Sequence, residues 1–409
     1  MSDHTHGVSR RSLIGAAAGV GVLGAGAAIG ARQLLAPEPS APTIAAPEAP
    51  TALGSSVIPF HGEHQAGIAT SLQAHANFIA LDLAGPGRQD AQRLMRLLSD
   101  DAARMTQGEI ALADGEAELS EVPANLSVTF GFGPGFLSKL GLGGPAWLRQ
   151  LPAFGIDRLQ SEWSEGDLLL RVAGDDPLTV AHTSRMLVKD ARPFGTVRWA
   201  QQGFRRAAGS TKAGATHRNL FGQVDGTVNP VPGTAKFDQL VWSTDSGWMQ
   251  GGTSMVIRRI HMDLDRWDQL DRSGREQAVG RKLSNGAPLT GVNETDEPDF
   301  AKKLRSGFTV IPDFSHMRRA RGDDPSVGAQ ILRQPYTYHD SPAGGSVSDS
   351  GLIFVSCQAD PVAQFVPMQE RLDKLDILNT WTTPIGSAVF AIPPGCQPGS
   401  YIGQALLES

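Results

Sequence analysis

The chain has 409 residues, of which 40% are hydrophobic and 19% charged, and its formal net charge is −6. This is the balance of a globular protein long enough for two domains, not of a disordered chain. An acidic total also leaves no basic footprint for nucleic acid, so none is expected as a partner.

The first stretch reads as targeting rather than fold. Ser9-Arg10-Arg11-Ser12-Leu13-Ile14 precedes an uncharged run from Gly15 to Ala31, rich in Ala, Gly and Val. A twin arginine before a weakly hydrophobic stretch has the form of a Tat export signal. The run is near the lower length limit for a membrane helix, and its glycines make it a poor one. Arg32 to about Gly54, rich in Pro and Ala, reads as a disordered linker holding the cleavage region. Residues 1–54 are therefore expected to be signal and linker. The Tat export machinery is then a partner, and the location is extracellular, periplasmic or at the cell surface.

The body of the chain is expected in two halves, 55–215 and 216–409. In the first, His75 to Leu83 reads as a strand and Asp90 to Met105 as a helix with Ala91, Leu94, Met95, Leu98 and Ala102 on one face. Leu126, Val128, Phe130 and Phe132 alternate as a second strand, and Leu168 to Val172 form a third. Asp176-Pro177 opens a second helix, a cap residue before proline at the first helical position. Val197 to Trp199 supply a fourth strand. The order β-α-β-β-α-β is ferredoxin-like. The second half repeats it: the stretch from Leu168 to Pro177 matches the stretch from Leu352 to Pro361, each an apolar strand, a short link and Asp-Pro. Val362, Phe365, Val366, Gln369 and Leu372 then share a helix face. Ser254 to Met262 matches the first strand and Ala388 to Ile392 the last. The expected fold is α+β, with two ferredoxin-like units packed sheet to sheet.

Three stretches lie outside the repeat. The first is Asn219-Leu220-Phe221-Gly222-Gln223-Val224-Asp225-Gly226-Thr227-Val228-Asn229-Pro230, where Gly, Asn and Pro specify a shaped loop around an acid. The second is Ser315-His316-Met317-Arg318-Arg319, after the apolar run from Phe308 to Pro312. The third is Ile331-Leu332-Arg333-Gln334-Pro335-Tyr336. Insertions of this length on a repeated scaffold are where function usually sits.

One acid, one histidine and one arginine in this order resemble the dye-decolourising peroxidase family. The likeness runs from about Pro59 to the end. It includes the stretch from Phe60 to Ile68, Gly280-Arg281-Lys282, the stretch from Gly286 to Leu289 and that from Gly386 to Phe390. It implies a dimeric α+β barrel with antiparallel sheets and one haem b per chain, held in the C-terminal half. It implies hydrogen peroxide and phenolic or dye-like electron donors as substrates. His316 would then bind the haem iron, which a neutral imidazole can do. An acid about 60 residues further on would hold its other ring N–H, Asp376 fitting best and Asp373 standing as the alternative. Asp225 would move a proton between the peroxide oxygens, and Arg333 would stabilise the charge that develops. Carboxylic acids suit this task in acidic solution, so an acidic optimum is expected. Gly226, Thr227 and Val228 would lie along the haem edge, and Leu352 and Phe354 would form an apolar distal wall.

This chain departs from the family pattern in two places. Arg333-Gln334-Pro335 stands where Arg-Arg-Gly is common, and Ala320-Arg321-Gly322-Asp323 where Ala-Asn-Pro-Arg is common. Arg321, with Gly322 and Asp323, would then take the propionate contact. Surface Trp242, Trp248, Trp381, Tyr336 and Tyr338 are candidates for passing electrons from large donors, each equally readable as core packing. His61 and His64 form an H-x-x-H pair with no second pair nearby, and no metal site is expected there. Only Cys357 and Cys396 occur, which is no disulfide framework. Cys357 reads as a core thiol, and a bond between the two stays open. The natural donor and the oligomeric state are not fixed, and a homo-oligomer is compatible with this reading. A haem-handling, iron-release protein is the runner-up function.

Overall fold

A computed structural model describes residues 53–409 except 86, 213, 323–329 and 343. The expected signal and most of the expected linker lie outside the described residues. The linker's expected end is corrected slightly: Leu53–Ser55 form a 3₁₀ turn, tied down where Ala124 N–H donates to Gly54 O at 2.8 Å.

The strands are β1 (His75–Leu83), β2 (Ser127–Phe132), β3 (Leu168–Gly174), β4 (Gly195–Phe204), β5 (His217–Arg218), β6 (Val224–Asp225), β7 (Thr253–Met262), β8 (Leu332–Arg333), β9 (Tyr336–Asp340), β10 (Asp349–Gln358) and β11 (Thr382–Ile392). The first half forms an antiparallel sheet in the order β2-β3-β1-β4, and the second half repeats it as β9-β10-β7-β11. Every strand pairs in the same relative place in both halves, which makes the duplication a fact of topology. The two sheets also join at their edges. Ala391 of β11 pairs with Phe132 of β2, and Phe204 of β4 pairs with Thr337 of β9. The fourth strand of each unit thus meets the second strand of the other, and eight strands close into a barrel with both open edges removed.

Alternation along each strand sends one set of side chains inward. Phe78, Leu169, Met255, Ile257, Tyr336, Tyr338, Ile353, Val355 and Phe390 fill the barrel. The other set faces outward. In the first half that face is sealed: Ile79, Leu81, Phe130, Leu168 and Leu170 pack under the helices Arg88–Met105 and Pro177–Ala191. Each fully buried Leu or Phe there contributes about 1.5–3 kcal/mol. Asp176 starts the second of these helices by accepting from Thr179 N–H at 2.8 Å.

The second half is built differently over the same face. Asp360 accepts from Val362 and Ala363 N–H at 2.7 and 3.0 Å, yet the helix begins only at Phe365 and runs to Leu375. Val362, expected on its buried face, lies before it and is exposed. Phe365 and Val366 do pack against Val256, Ile331 and Val389. The helix covers part of the sheet, and the inserted segment between β7 and β10 covers the rest. A cavity remains between them.

β9 is a strand that the sequence pattern does not mark, and it settles the open reading of Tyr336 and Tyr338. Both are fully buried and point into the barrel, where the Arg259 guanidinium lies 4.4 Å from the centre of the Tyr338 ring. They are removed from the surface candidates.

Candidate active site

The cavity holds about 340 Å³ and opens to solvent, within the roughly 300–1,000 Å³ usual for small-molecule sites. Its sheet wall carries Arg258, Ile260 and Met262 from β7, Leu352 and Phe354 from β10, and Arg333 from β8. Its other wall carries His316, Met317, Met368, Leu372 and Asp376.

His316 is the first residue of a short helix, His316–Arg321, that follows Ser315 in extended conformation. One tie fixes this helix to Phe365–Leu375, where Arg371 donates to Ala320 O at 2.9 Å, and a second joins the segments beside them, where Ile377 N–H donates to Phe314 O at 3.0 Å. They bring His316 Nδ1 within 2.5 Å of Asp376 Oδ2. With the proton on Nδ1, the imidazole donates to Asp376 and leaves Nε2 free as a lone-pair donor. The ring is 35% exposed, towards the cavity, whereas the carboxylate is 3% exposed. Burial disfavours the charged imidazole, but Asp376 outweighs it and the net shift of the His316 pKa is upward. Asp373 does not compete. Its carboxylate accepts from Gly155 N–H at 3.0 Å and Ile156 N–H at 2.9 Å.

The acid loop grows from the β5–β6 hairpin. Asn219 Oδ1 accepts from Phe221 N–H at 3.1 Å and from Gln223 N–H at 3.3 Å, a side-chain turn that shapes the tip. Gly226 then sits at φ +120°, a conformation side-chain-bearing residues rarely adopt, so the chain can reverse directly after Asp225. Asp225 Oδ1 accepts from Arg333 Nη1 at 2.6 Å. The structure therefore brings Asp225 and Arg333 together on one side of the cavity and His316 with Asp376 on another.

Other expected residues divide. Thr227, Val228, Leu352, Phe354 and Arg321 line the cavity, and Gly226 and Gly322 do not. Arg321 is engaged in an ion pair with Glu297 at the rim. Gly322 ends the His316 helix. Asp323 lies outside the described residues. Sequence reasoning missed Arg258, Arg281 and Glu297 as lining residues. Arg281 stood in a noted Gly-Arg-Lys stretch but received no role; its guanidinium donates to Gly286 O at 2.6 Å and Glu294 O at 2.9 Å.

The remaining candidates have ordinary partners. His64 stacks on Trp242 at 3.7 Å and its Nδ1 lies 2.7 Å from Gly251 O, whereas His61 lies 3.6 Å from Cys396 Sγ. Trp381 packs edge-on against Trp267 at 5.2 Å, and half-buried Trp248 lies against Phe132. Cys357 and Cys396 are free thiols in separate cores. Burial pushes the Cys357 thiol up to about 12, with Arg171 acting weakly against it, and the Cys396 thiol up to about 11.

Comparison with known proteins decides what such a site serves. Family models for the Dyp-type peroxidase N-terminal and C-terminal regions match residues 65–205 and 216–397. The chain belongs to the Dyp-type peroxidase family. It is 35% identical to a dye-decolorizing peroxidase from Thermobifida fusca over 98% of each chain. It is 33% identical to a deferrochelatase from Escherichia coli over 86% of this chain and 87% of the relative. Among solved structures, a DyP-type peroxidase from Cellulomonas bogoriensis is 49% identical with a TM-score of 0.84, covering 88% of this chain and all (100%) of that one. Another from Streptomyces coelicolor is 42% identical with a TM-score of 0.84, covering 87% and 98%. The protein is accordingly a haem-dependent peroxidase that uses hydrogen peroxide and a reducing substrate. The duplicated ferredoxin-like barrel is the fold of these relatives.

The donor set in the cavity fits a haem. An imidazole with a free Nε2 faces an apolar space whose far side carries a carboxylate–guanidinium pair, and cationic Arg281 and Arg321 lie where anionic substituents could be met.

Proposed function

We propose that the protein is an exported haem peroxidase in which His316 binds the iron and Asp225 with Arg333 acts on hydrogen peroxide. One observation carries this reading: the His316–Asp376 and Asp225–Arg333 pairs line a single apolar cavity. The haem, when bound, supplies the redox centre that accepts oxidising equivalents from peroxide and passes them to the donor.

The side chains do the rest. Asp376 orients the His316 ring and, by accepting from Nδ1–H, makes Nε2 a stronger electron donor. Asp225 accepts a proton from one peroxide oxygen and delivers it to the other, which leaves as water. Arg333 donates to the oxygen on which negative charge gathers. Its contact with Asp225 aims the carboxylate. Leu352 and Phe354 keep bulk water from that side, and Thr227 and Val228 border the cavity. Arg281 and Arg321 offset the haem carboxylates, Arg321 by exchanging its partner Glu297.

Donors are phenolic or dye-like molecules, as the name of the Thermobifida relative suggests. The iron-release reading has weaker support, because the deferrochelatase relatives match 86% of the chain against 98% for that peroxidase. Tat export rests on Arg10-Arg11 and the run after it. Changing both arginines to lysine is expected to leave the protein in the cytoplasm; undiminished export would defeat this part. The central test is the visible spectrum of the mature protein before and after one equivalent of hydrogen peroxide at acidic pH. A ferric band that changes rapidly in the parent and at least 100-fold more slowly in Asp225→Asn and Arg333→Leu is expected. Equal rates in all three would remove the assignment.

A further inference from the structure

Arg333 is held at two points. Its Nη1 donates to Asp225 Oδ1, and its main chain is gripped by Asn229. Asn229 Oδ1 accepts from the Arg333 N–H at 3.0 Å, and Asn229 Nδ2 donates to the Arg333 carbonyl at 2.6 Å. Strand geometry explains the second grip. β8 bonds to β10 through alternate residues, with Gln334 N–H donating to Val355 O at 2.8 Å. The N–H and C=O of Arg333 therefore face the open edge. A carboxamide carries the same donor and acceptor as a peptide, so one side chain completes that edge.

Asn229 lies four residues after Asp225, in a turn closed by its own N–H donating to Gly226 O at 3.0 Å. Acid and arginine are thus parts of one ring. It runs from Asp225 along the loop to Asn229, across two hydrogen bonds to the Arg333 backbone, and out along the guanidinium to Asp225. Asn229 does not line the cavity. The loop has a separate anchor, where Thr227 Oγ1 donates to Glu294 Oε1 at 2.9 Å. Removing the Asn229 amide would release the loop's grip on the β8 backbone and leave that anchor in place.

We propose that Asn229 is a positioning residue that registers the acid loop against β8 and so fixes the Arg333 guanidinium in the distal site. The proposal rests on the roles given above to Asp225 and Arg333. Misplacing a reacting group by about 1 Å can slow a reaction on the order of 100-fold.

The test uses haem-loaded mature protein carrying Asn229→Ala, Asn229→Asp, Arg333→Leu, or Asn229→Ala with Arg333→Leu. Asn229→Asp keeps the acceptor for the Arg333 N–H but sets an anionic oxygen against the Arg333 carbonyl. Four quantities are read: haem content, thermal midpoint, fluoride dissociation constant of the ferric protein, and rate of the spectral change with peroxide. Fluoride reports the distal donors without turnover. Either Asn229 variant is expected to weaken fluoride binding and slow the peroxide reaction by about 10-fold or more at unchanged haem content. In the Arg333→Leu background, Asn229→Ala should add less than about 2-fold, because the residue it positions is gone. A full extra loss there would overturn the proposal, as would a lowered thermal midpoint with unchanged fluoride affinity and rate. If Arg333→Leu alone changes neither quantity, the reading of the site itself falls. If it does and the Asn229 variants do not, only the positioning role falls.

Discussion

Asp376 meets His316 Nδ1 at 2.5 Å, whereas Asp373, three residues earlier, turns away to the Gly155 and Ile156 amides. Two acids close in sequence thus do unrelated work. Asp376 ends the helix, caps the following turn by accepting from Leu378 N–H at 2.9 Å, and spends its second oxygen on the histidine. Asp376→Asn is expected to keep the fold, raise the reduction potential of the loaded protein and slow its peroxide reaction about 10-fold or more. Asp373→Ala leaves two amides unpaired. It should cost about 0.5–1.5 kcal/mol of stability and leave the haem spectrum as it was. Redox titration and thermal melts of the two variants separate these outcomes, and a spectral change in Asp373→Ala would contradict the assignment.

The barrel was legible because its signals are local and periodic. β1 was read with its ends in place, and the Asp-Pro repeat pointed to two units. Edge closure was not legible, since it rests on single pairs such as Phe204 with Thr337, which no pattern marks. β9 was lost for a related reason. Its two tyrosines are readable from the sequence as either surface or core, and only the barrel interior makes them core. In the site, Asp225, His316 and Arg333 were found as a resemblance carried by motifs. Asn229 was in plain view in the same loop, but its function depends on which strand edge is open, and that is tertiary. Arg321 lines the cavity, but its partner Glu297 lies on a loop with no periodicity to place it.

A departure from the family pattern has a structural partner. Gln334 stands where a second arginine is common, and its Oε1 accepts from Arg171 Nη1 at 2.7 Å inside the barrel. Arg171 is 1% exposed and also donates to Gly67 O at 2.8 Å. An arginine at position 334 would set two buried guanidiniums against each other without a carboxylate. Gln334→Arg is expected to destabilise the protein by about 3 kcal/mol, and adding Arg171→Gln should recover much of that loss. Chemical denaturation of the single and double variants reads this directly; a neutral Gln334→Arg would show that the interior rearranges freely.

Acid and base act on stability through two further buried groups. Asp190, on the helix Pro177–Ala191, faces Asp101 on the neighbouring helix, and each carboxylate keeps an oxygen without a donor. Burial, the shared hydrogen bond and the Asp101 charge push the Asp190 pKa up to about 7 from 3.8, while Lys189 acts weakly the other way. Between these values the unfolded chain releases a proton that the folded chain keeps, so this group's contribution falls as pH rises and levels off above pH 7. His217 works in the opposite sense. Burial, then Arg205, lower its pKa to about 4, so its contribution falls as pH drops from 6.5 towards 4. Comparing Asp190→Asn with the parent isolates the first group, because His217 is common to both. The carboxamide can still donate to Asp101 but has no charge to repel it. Discounted for partial solvent access, the gain at pH 8 should be on the order of 1 kcal/mol, a rise of about 1 °C in thermal midpoint, with none at pH 4. A variant that melts lower than the parent at pH 8 would mean that the two acids are not in conflict.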